Sequence, residues 1–372
     1  MKDEHEFFRF ILHPSSFILP MNRRDFLQPR HIAQTAGQML AVIDELTDAP
    51  ASPASSEDNL LLHLRRRAMA TGFEIVLPFG TPDAVETGEA AFALLDALEE
   101  QLTVYRETSE VSRLNRRAFA APVHVESRLF GLLELAARIH EETEAAYDIT
   151  AGALIKAWGF FRGPRRVPSE TERTAALGHV GMQWVERDAQ RGTVRYLRPG
   201  LEINLGSIGK GYALDRIADS LKKEWGVERG LLHGGTSSVY AIGCSVDNER
   251  GWQVGITHPW DRERRLARVW LRDRALGNSA ATHQHLEYNG RKLGHILDPR
   301  TGWPAGGIAS ASVLAPTAAQ ADALSTAFYV GGVELARRYC EAHPDIGAIL
   351  LPEGEAAEPV VIGLAPHEFA LE

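Results

Sequence analysis

Three groups of residues have the types and spacing to do chemistry. The first is Ile203-Asn204-Leu205-Gly206-Ser207-Ile208-Gly209-Lys210-Gly211-Tyr212-Ala213, where three glycines and a lysine lie between an apolar strand and a helical run. A glycine-rich turn feeding a helix N-terminus offers free backbone N–H groups and positive dipole charge, which suits a phosphate or pyrophosphate. Lys210 adds a mobile cation. The spacing is neither that of a Walker loop nor that of a dinucleotide-binding Rossmann turn. A plain strand-to-helix turn with a surface lysine accounts for these residues equally well.

The second group is Asp322, Ser325 and Thr326, which a helix over Thr317–Val330 places on one face. A carboxylate and hydroxyls, joined by carbonyls of a glycine-rich turn, make an oxygen-only set suited to Mg²⁺, whose remaining ligands are phosphate and water. The other reading is an exposed aspartate favoured by the helix dipole, with the threonine merely packing. The third group is His295 and Asp298, around a turn closed by Pro299 and Gly302. A histidine near a bound phosphate can take the proton of an attacking hydroxyl. Equally, His295 is a hydrogen-bonded core residue and Asp298-Pro299 a turn starter. Tyr105 can stack on an aromatic ring or belong to the rim of the core.

The elements that position these groups follow from pattern. Ile208, Tyr212, Ile217, Ala218, Leu221 and Trp225 recur at helical spacing until Gly226. Helices are expected over 83–102, 126–145 and near 169–177. Strands are expected at 73–77, near 192–197, and at 252–256, 267–271, 311–314 and 348–351. Helices and strands mix without strict alternation, so the fold class is α+β rather than a doubly wound sheet.

The chain has 372 residues, of which 44% are hydrophobic and 24% charged, the composition of a soluble globular protein. A formal charge of −9 argues against nucleic acid or an anionic membrane surface as partner. No apolar run is long enough for an integral membrane segment. Only Cys244 and Cys340 occur, and their apolar settings predict two buried thiols rather than a disulfide or zinc site. Residues 1–59 read as an N-terminal arm and a Pro/Ala/Ser linker, partly disordered, with the folded domain over 60–372. Met21 is the expected start of translation. Arg23-Arg24 resembles a twin-arginine export signal, but Gln28, Pro29 and Arg30 stand where an apolar region should follow. The expected compartment is the cytoplasm, with export through this degenerate signal as the alternative.

Five blocks in order resemble the ApbE family of FAD:protein FMN transferases over roughly residues 65–345. They are Ser109-Glu110-Val111-Ser112-Arg113-Leu114-Asn115, Tyr147-Asp148-Ile149-Thr150 with Trp158-Gly159-Phe160, Leu205 to Ala213, His295 to Gly302, and Ala321 to Ala327. The resemblance implies a T-fold-like two-layer architecture and a specific reaction. FAD is the substrate, Mg²⁺ the metal, and the FMN half moves onto a Thr or Ser hydroxyl of a partner protein with release of AMP. It implies metal ligands at Asp322, Thr326, the Ser207 carbonyl and Ser325. Flavin contacts fall at Met69, Tyr105, Ala146-Tyr147-Asp148, Asn204 and Ile296. Lys210 faces the dinucleotide, and His295 matches the histidine that assists the acceptor hydroxyl. The chain departs from the family pattern at Asn204, usually Asp, and at Ala151, Ala153, Thr236 and Ala280-Ala281-Thr282. A catalytically weak FAD-binding homologue, or an FAD pyrophosphatase giving FMN and AMP, is the alternative. Every version requires Asp322 to lie beside the Gly206–Gly211 turn.

Overall fold

The computed structural model describes residues 60–161, 164–280, 285–288, 291–354 and 356–372. The expected arm, linker, translation start and Arg23-Arg24 signal lie outside the described residues.

The described residues begin with the hairpin β1 (Leu61–Ala68) and β2 (Thr71–Pro78), then α1 (Ala84–Leu102), α2 (Glu110–Arg117), β3 (Val123–His124) and α3 (Ser127–Glu142). Next come α4 (Gly152–Ala157), α5 (Glu170–Leu177), β4 (Val185–Asp188), β5 (Thr193–Tyr196), α6 (Gly209–Lys223), β6 (Gly230–Gly234) and β7 (Ser238–Ile242). The remainder is β8 (Trp252–His258), β9 (Asp261–Leu271), β10 (Arg274–Ala280), β11 (His285–Tyr288), β12 (Arg291–Gly294), β13 (Ile308–Ala315), α7 (Ala318–Ala342), β14 (Gly347–Pro352), β15 (Val360–Ile362) and β16 (Phe369–Leu371).

Runs such as Leu231-Leu232, Val239-Tyr240-Ala241-Ile242 and Ile349-Leu350-Leu351 do not alternate apolar with polar, because their sheet is covered on both faces. That sheet has eight strands in the order β1-β2-β6-β7-β10-β13-β14-β15, all antiparallel. Ile75, Leu232, Tyr240, Val313 and Leu350 point to one face and pack with Phe92, Leu95, Leu214, Leu324 and Phe328 of helices α1, α6 and α7. Val76, Leu231, Val239, Leu276 and Ile349 point to the other face and pack on Trp252, Val254, Leu266 and Val269. Those last residues belong to a three-stranded sheet of order β16-β9-β8. The fold is α+β as expected, and this small sheet adds a layer to the two anticipated.

A separate lobe forms around Leu154, Trp158, Ala176 and Leu297, with Leu286 and Leu293 of the β11–β12 hairpin against it. Trp158 is fully buried, and its indole N–H donates to the Gly302 carbonyl at 3.0 Å, tying α4 to the turn after His295.

Several elements differ from the sequence expectation for local reasons. Ser109–Asn115 forms α2, started by the Ser109 side chain accepting the Ser112 N–H at 3.0 Å. The helix expected to end at Val330 continues to Ala342 through a break at Gly332, whose backbone is at φ 78°. Cys340 is buried but Cys244 is only half-buried, and both are free. Among the described residues, no helix is long and apolar enough to cross a membrane.

Candidate active site at the crossing of two helices

The loop before α6 is built by its own side chains. Asn204 donates its backbone N–H to the Ile149 carbonyl at 2.7 Å, and its side-chain oxygen accepts the Gly206 N–H at 2.9 Å. This local turn brings the chain round to start α6 at Gly209. The N–H groups of a helix's first turn have no partners inside the helix. That of Gly211 donates instead to the Asp322 carboxylate at 2.8 Å. The requirement that Asp322 lie beside the glycine turn is therefore met.

Two glycines make the crossing possible. A Cβ on Gly211 would fall 2.7 Å from the Ala319 backbone nitrogen, so only glycine lets α6 approach α7 this closely. On the sheet side, Gly277 of β10 lies under Asp322, where a Cβ would stand 2.6 Å from the Asp322 nitrogen. Gly277 pairs across the sheet with Ser238 of β7. The empty place above Gly277 lets α7 sink until the Ser238 hydroxyl stands 2.7 and 2.9 Å from the two Asp322 oxygens. Ser279, two residues on and on the same face, has its hydroxyl 2.9 Å from that of Ser325 and 3.3 Å from that of Thr326. Ser325 and Thr326 in turn donate to the Asp322 backbone carbonyl at 2.9 and 3.3 Å.

Asp322 is 5% exposed. Burial pushes its carboxyl up to about 6, while the Lys210 charge and the Ser238 and Gly211 hydrogen bonds pull the other way without prevailing. Such a carboxylate is under-compensated and gains from a cation. Lys210 itself is half-buried on the first turn of α6. Ser207 donates its hydroxyl to the Tyr147 phenol at 3.4 Å. Tyr147 is 1% exposed; burial raises its pKa, with the negative charges of Asp322 and Asp148 adding to the rise. The loop, Lys210, Ser207, Tyr147, Asp322, Ser325 and Thr326 thus form one neighbourhood.

Asp148 and Ala146 are held within the structure. One Asp148 oxygen accepts the Thr150 N–H and hydroxyl at 2.7 and 2.6 Å, the other accepts the Met182 N–H at 3.1 Å, and His140 lies 3.2 Å away. Ala146 is buried in the main core. The remaining expected residues come from other elements. Met69 sits in the two-residue β1–β2 turn with φ 48°, followed by Ala70 at φ 61°, and packs against the main core. Tyr105, 53% exposed, stacks parallel on Phe161 with ring centroids 4.7 Å apart. His295 follows β12, and its neighbours split at a seam: Ile296 packs on the main core, Leu297 in the lobe. Asp298 is engaged by Arg300, whose guanidinium donates to both carboxylate oxygens at 2.9 Å, as in an ordinary turn.

Ser238 and Gly277 carry no site signal of their own in the sequence, and Ser279 enters only as the first residue of a segment that departs from the family pattern. Only the sheet order brings β7 and β10 under α7, and no spacing within the chain announces it. The period-two placing of Gly277 and Ser279 is the one local signal.

Among the described residues, no cluster of three or more His, Cys, Asp or Glu is placed to hold a metal. One carboxylate with two alcohols and a nearby carbonyl is an oxygen set that fits a hard cation completing its shell with phosphate and water.

A glycine loop, a buried under-compensated carboxylate and an adjacent lysine meet at a helix crossing, a combination whose chemistry suits a phosphate ester. The chain belongs to the ApbE family, whose sequence profile matches residues 69–350. It is 30% identical over 327 residues to an FAD:protein FMN transferase of Klebsiella pneumoniae (strain 342), covering 85% of this chain and 90% of that protein. It is 29% identical to the FAD:protein FMN transferase of Salmonella typhimurium, covering 88% of this chain and 93% of the relative. Among solved structures, the ApbE protein of Thermotoga maritima superposes with a TM-score of 0.72 at 29% identity, covering 80% of this chain and 96% of that one. The flavin transferase ApbE of Vibrio cholerae also gives 0.72, at 26% identity and with 81% and 97% covered.

Proposed function

We infer that this chain is an FAD:protein FMN transferase whose reaction runs at the crossing of α6 and α7. The hydroxyl oxygen of an acceptor Thr or Ser attacks the FMN-side phosphorus of FAD. A new P–O bond forms to the acceptor, the P–O bond to the AMP phosphate breaks, and AMP leaves with the electron pair. The observation that carries this reading is the 2.8 Å hydrogen bond from Gly211 to Asp322, which sets a buried carboxylate against the glycine turn.

Asp322, Thr326, the Ser207 carbonyl and Ser325 are the residues that would hold Mg²⁺. When bound, the ion neutralises charge on the pyrophosphate oxygens. Lys210 faces the same phosphates and offsets charge on the departing AMP. His295, at the seam between lobe and main core, takes the proton from the acceptor hydroxyl. Tyr105 and Met69 flank the flavin ring, and Tyr147 underlies the loop that turns at Asn204. The departure at Asn204 preserves this loop, because its amide oxygen accepts the Gly206 N–H that an aspartate would also accept. That favours a working enzyme over an inactive FAD-binding homologue.

The test is incubation with FAD, Mg²⁺ and a peptide carrying an acceptor Thr, with mass analysis of both peptide and nucleotide. The expected result is an FMN-modified peptide and an equal amount of AMP. Free FMN with an unmodified peptide would make the protein a pyrophosphatase, and intact FAD would make it a binding protein.

A further inference from the structure

Helices α6 and α7 exchange caps. Asp322 of α7 accepts the unpaired Gly211 N–H in the first turn of α6. In return Asp215, one turn further along α6, accepts the unpaired N–H groups of Ala318 and Ala319, at 2.6 and 2.9 Å, in the first turn of α7. The ordinary N-cap of α7 is already present, since the Thr317 hydroxyl accepts the Gln320 N–H at 3.3 Å. Asp215 therefore does more than start the helix: it fastens the helix to its neighbour.

Packing and hydrogen bonding constrain different motions. The glycine contacts at Gly211 and Gly277 fix how closely α7 approaches α6 and the sheet. A smooth close contact does not stop a helix from sliding along its axis, whereas two consecutive N–H groups donating to one carboxylate do. Asp322 lies one helical turn beyond Ala318, so an axial shift of Ala318 moves Asp322, Ser325 and Thr326 with it.

We propose that Asp215 is a positioning residue that sets the axial register of α7 against the Gly206–Gly211 loop, and so holds Asp322, Ser325 and Thr326 where a divalent cation and the diphosphate of FAD meet. The inference rests on the proposed cation role of those three residues. Asp215 touches neither cation nor substrate; it acts through α7.

The experiment titrates Mg²⁺ against FAD binding, followed by flavin fluorescence, in the full chain and in Asp215→Asn, Asp215→Ala, Thr317→Ala and Asp322→Ala, with thermal melts of each. Asparagine keeps one acceptor oxygen and so satisfies one N–H of two; alanine satisfies neither. The expected midpoint of the Mg²⁺ titration rises about fivefold for Asp215→Asn and at least about tenfold for Asp215→Ala. Thr317→Ala weakens the same helix end without touching the cross-link, so it lowers the melting temperature while its midpoint stays within about twofold of the parent. A parent-like midpoint in both Asp215 variants overturns the inference, as does a Thr317→Ala midpoint that rises as far as theirs. If the alanine variant does not fold, the asparagine variant decides. A parent whose FAD binding ignores Mg²⁺, or an unmoved midpoint in Asp322→Ala, overturns the cation reading and this inference with it.

Discussion

Asp148 and Asp322 are both enclosed carboxylates, and the protein treats them in opposite ways. Asp148 receives the Thr150 N–H and hydroxyl and the Met182 N–H, with His140 3.2 Å away. Burial would lower the pKa of that histidine, but its hydrogen bond to Asp148 and the carboxylate's charge raise it above its ordinary value. Asp322 has the Ser238 hydroxyl and the Gly211 N–H, faces Lys210 without a hydrogen bond, and is left with a carboxyl pushed up to about 6. The first is a finished tie between α3, the Tyr147 segment and the loop before β4. The second is left short of positive charge. Burial of an acid does not by itself mark a functional site.

Replacing the two residues separates these roles. Asp322→Ala should lower AMP release from FAD by about a thousandfold or more, with the fold intact by circular dichroism. A loss under about tenfold would break the comparison. Asp148→Ala should instead cost roughly 3 kcal/mol in urea melts, because it strands buried donors, with turnover per folded molecule falling far less than in Asp322→Ala.

The metal-free protein gives a sharper test. The folded pKa of Asp322, about 6, lies above its ordinary value of 3.8, so the folded state binds this proton more tightly than the unfolded state. The stabilising contribution is fully present below pH 3.8 and is lost as pH rises through about 6. Asparagine does not titrate, and it can still accept from Gly211 and donate to Ser238. Asp322→Asn should therefore stabilise the chelator-treated protein by about 2 kcal/mol at pH 8, with the gain shrinking toward pH 4. A gain that grows on acidification would reverse the sign and reject the assignment. The smallest effect belongs to Ser238→Ala. It removes one donor from Asp322, raises its proton affinity, and should increase the Mg²⁺ requirement about threefold at pH 6 and less at pH 8. An equal increase at both pH values would mean that Ser238 acts on shape rather than charge.

The parts of the site carried on continuous stretches were legible in the sequence. Gly206–Gly211 and the face holding Asp322, Ser325 and Thr326 are each set by local spacing, and the two do meet. Their mutual attachment was not legible. Ser238, Gly277, Ser279 and Asp215 act across the sheet or between helices, where contact depends on strand order and on how deeply α7 sinks. The fold divides in the same way. Long periodic helices such as α1 and α3 fell close to their expected bounds. β1 shows no strand pattern in the sequence, because Arg65-Arg66-Arg67 breaks the apolar alternation; Arg66 folds back onto Asp96 of α1 at 2.7 Å. α4 and the β11–β12 hairpin are too short to show a period, and the lobe they build is held by Trp158 and Leu297 from distant stretches.

The hairpin that begins the sheet turns on Met69 and Ala70, both in left-handed backbone and neither glycine nor asparagine. An Asn-Gly pair would suit that geometry far better. Any campaign that ranks variants by heat resistance alone will therefore find this corner early. It will be rewarded for deleting the thioether that the family resemblance sets against the flavin, so thermostable descendants of this chain need screening for ligand affinity at every round.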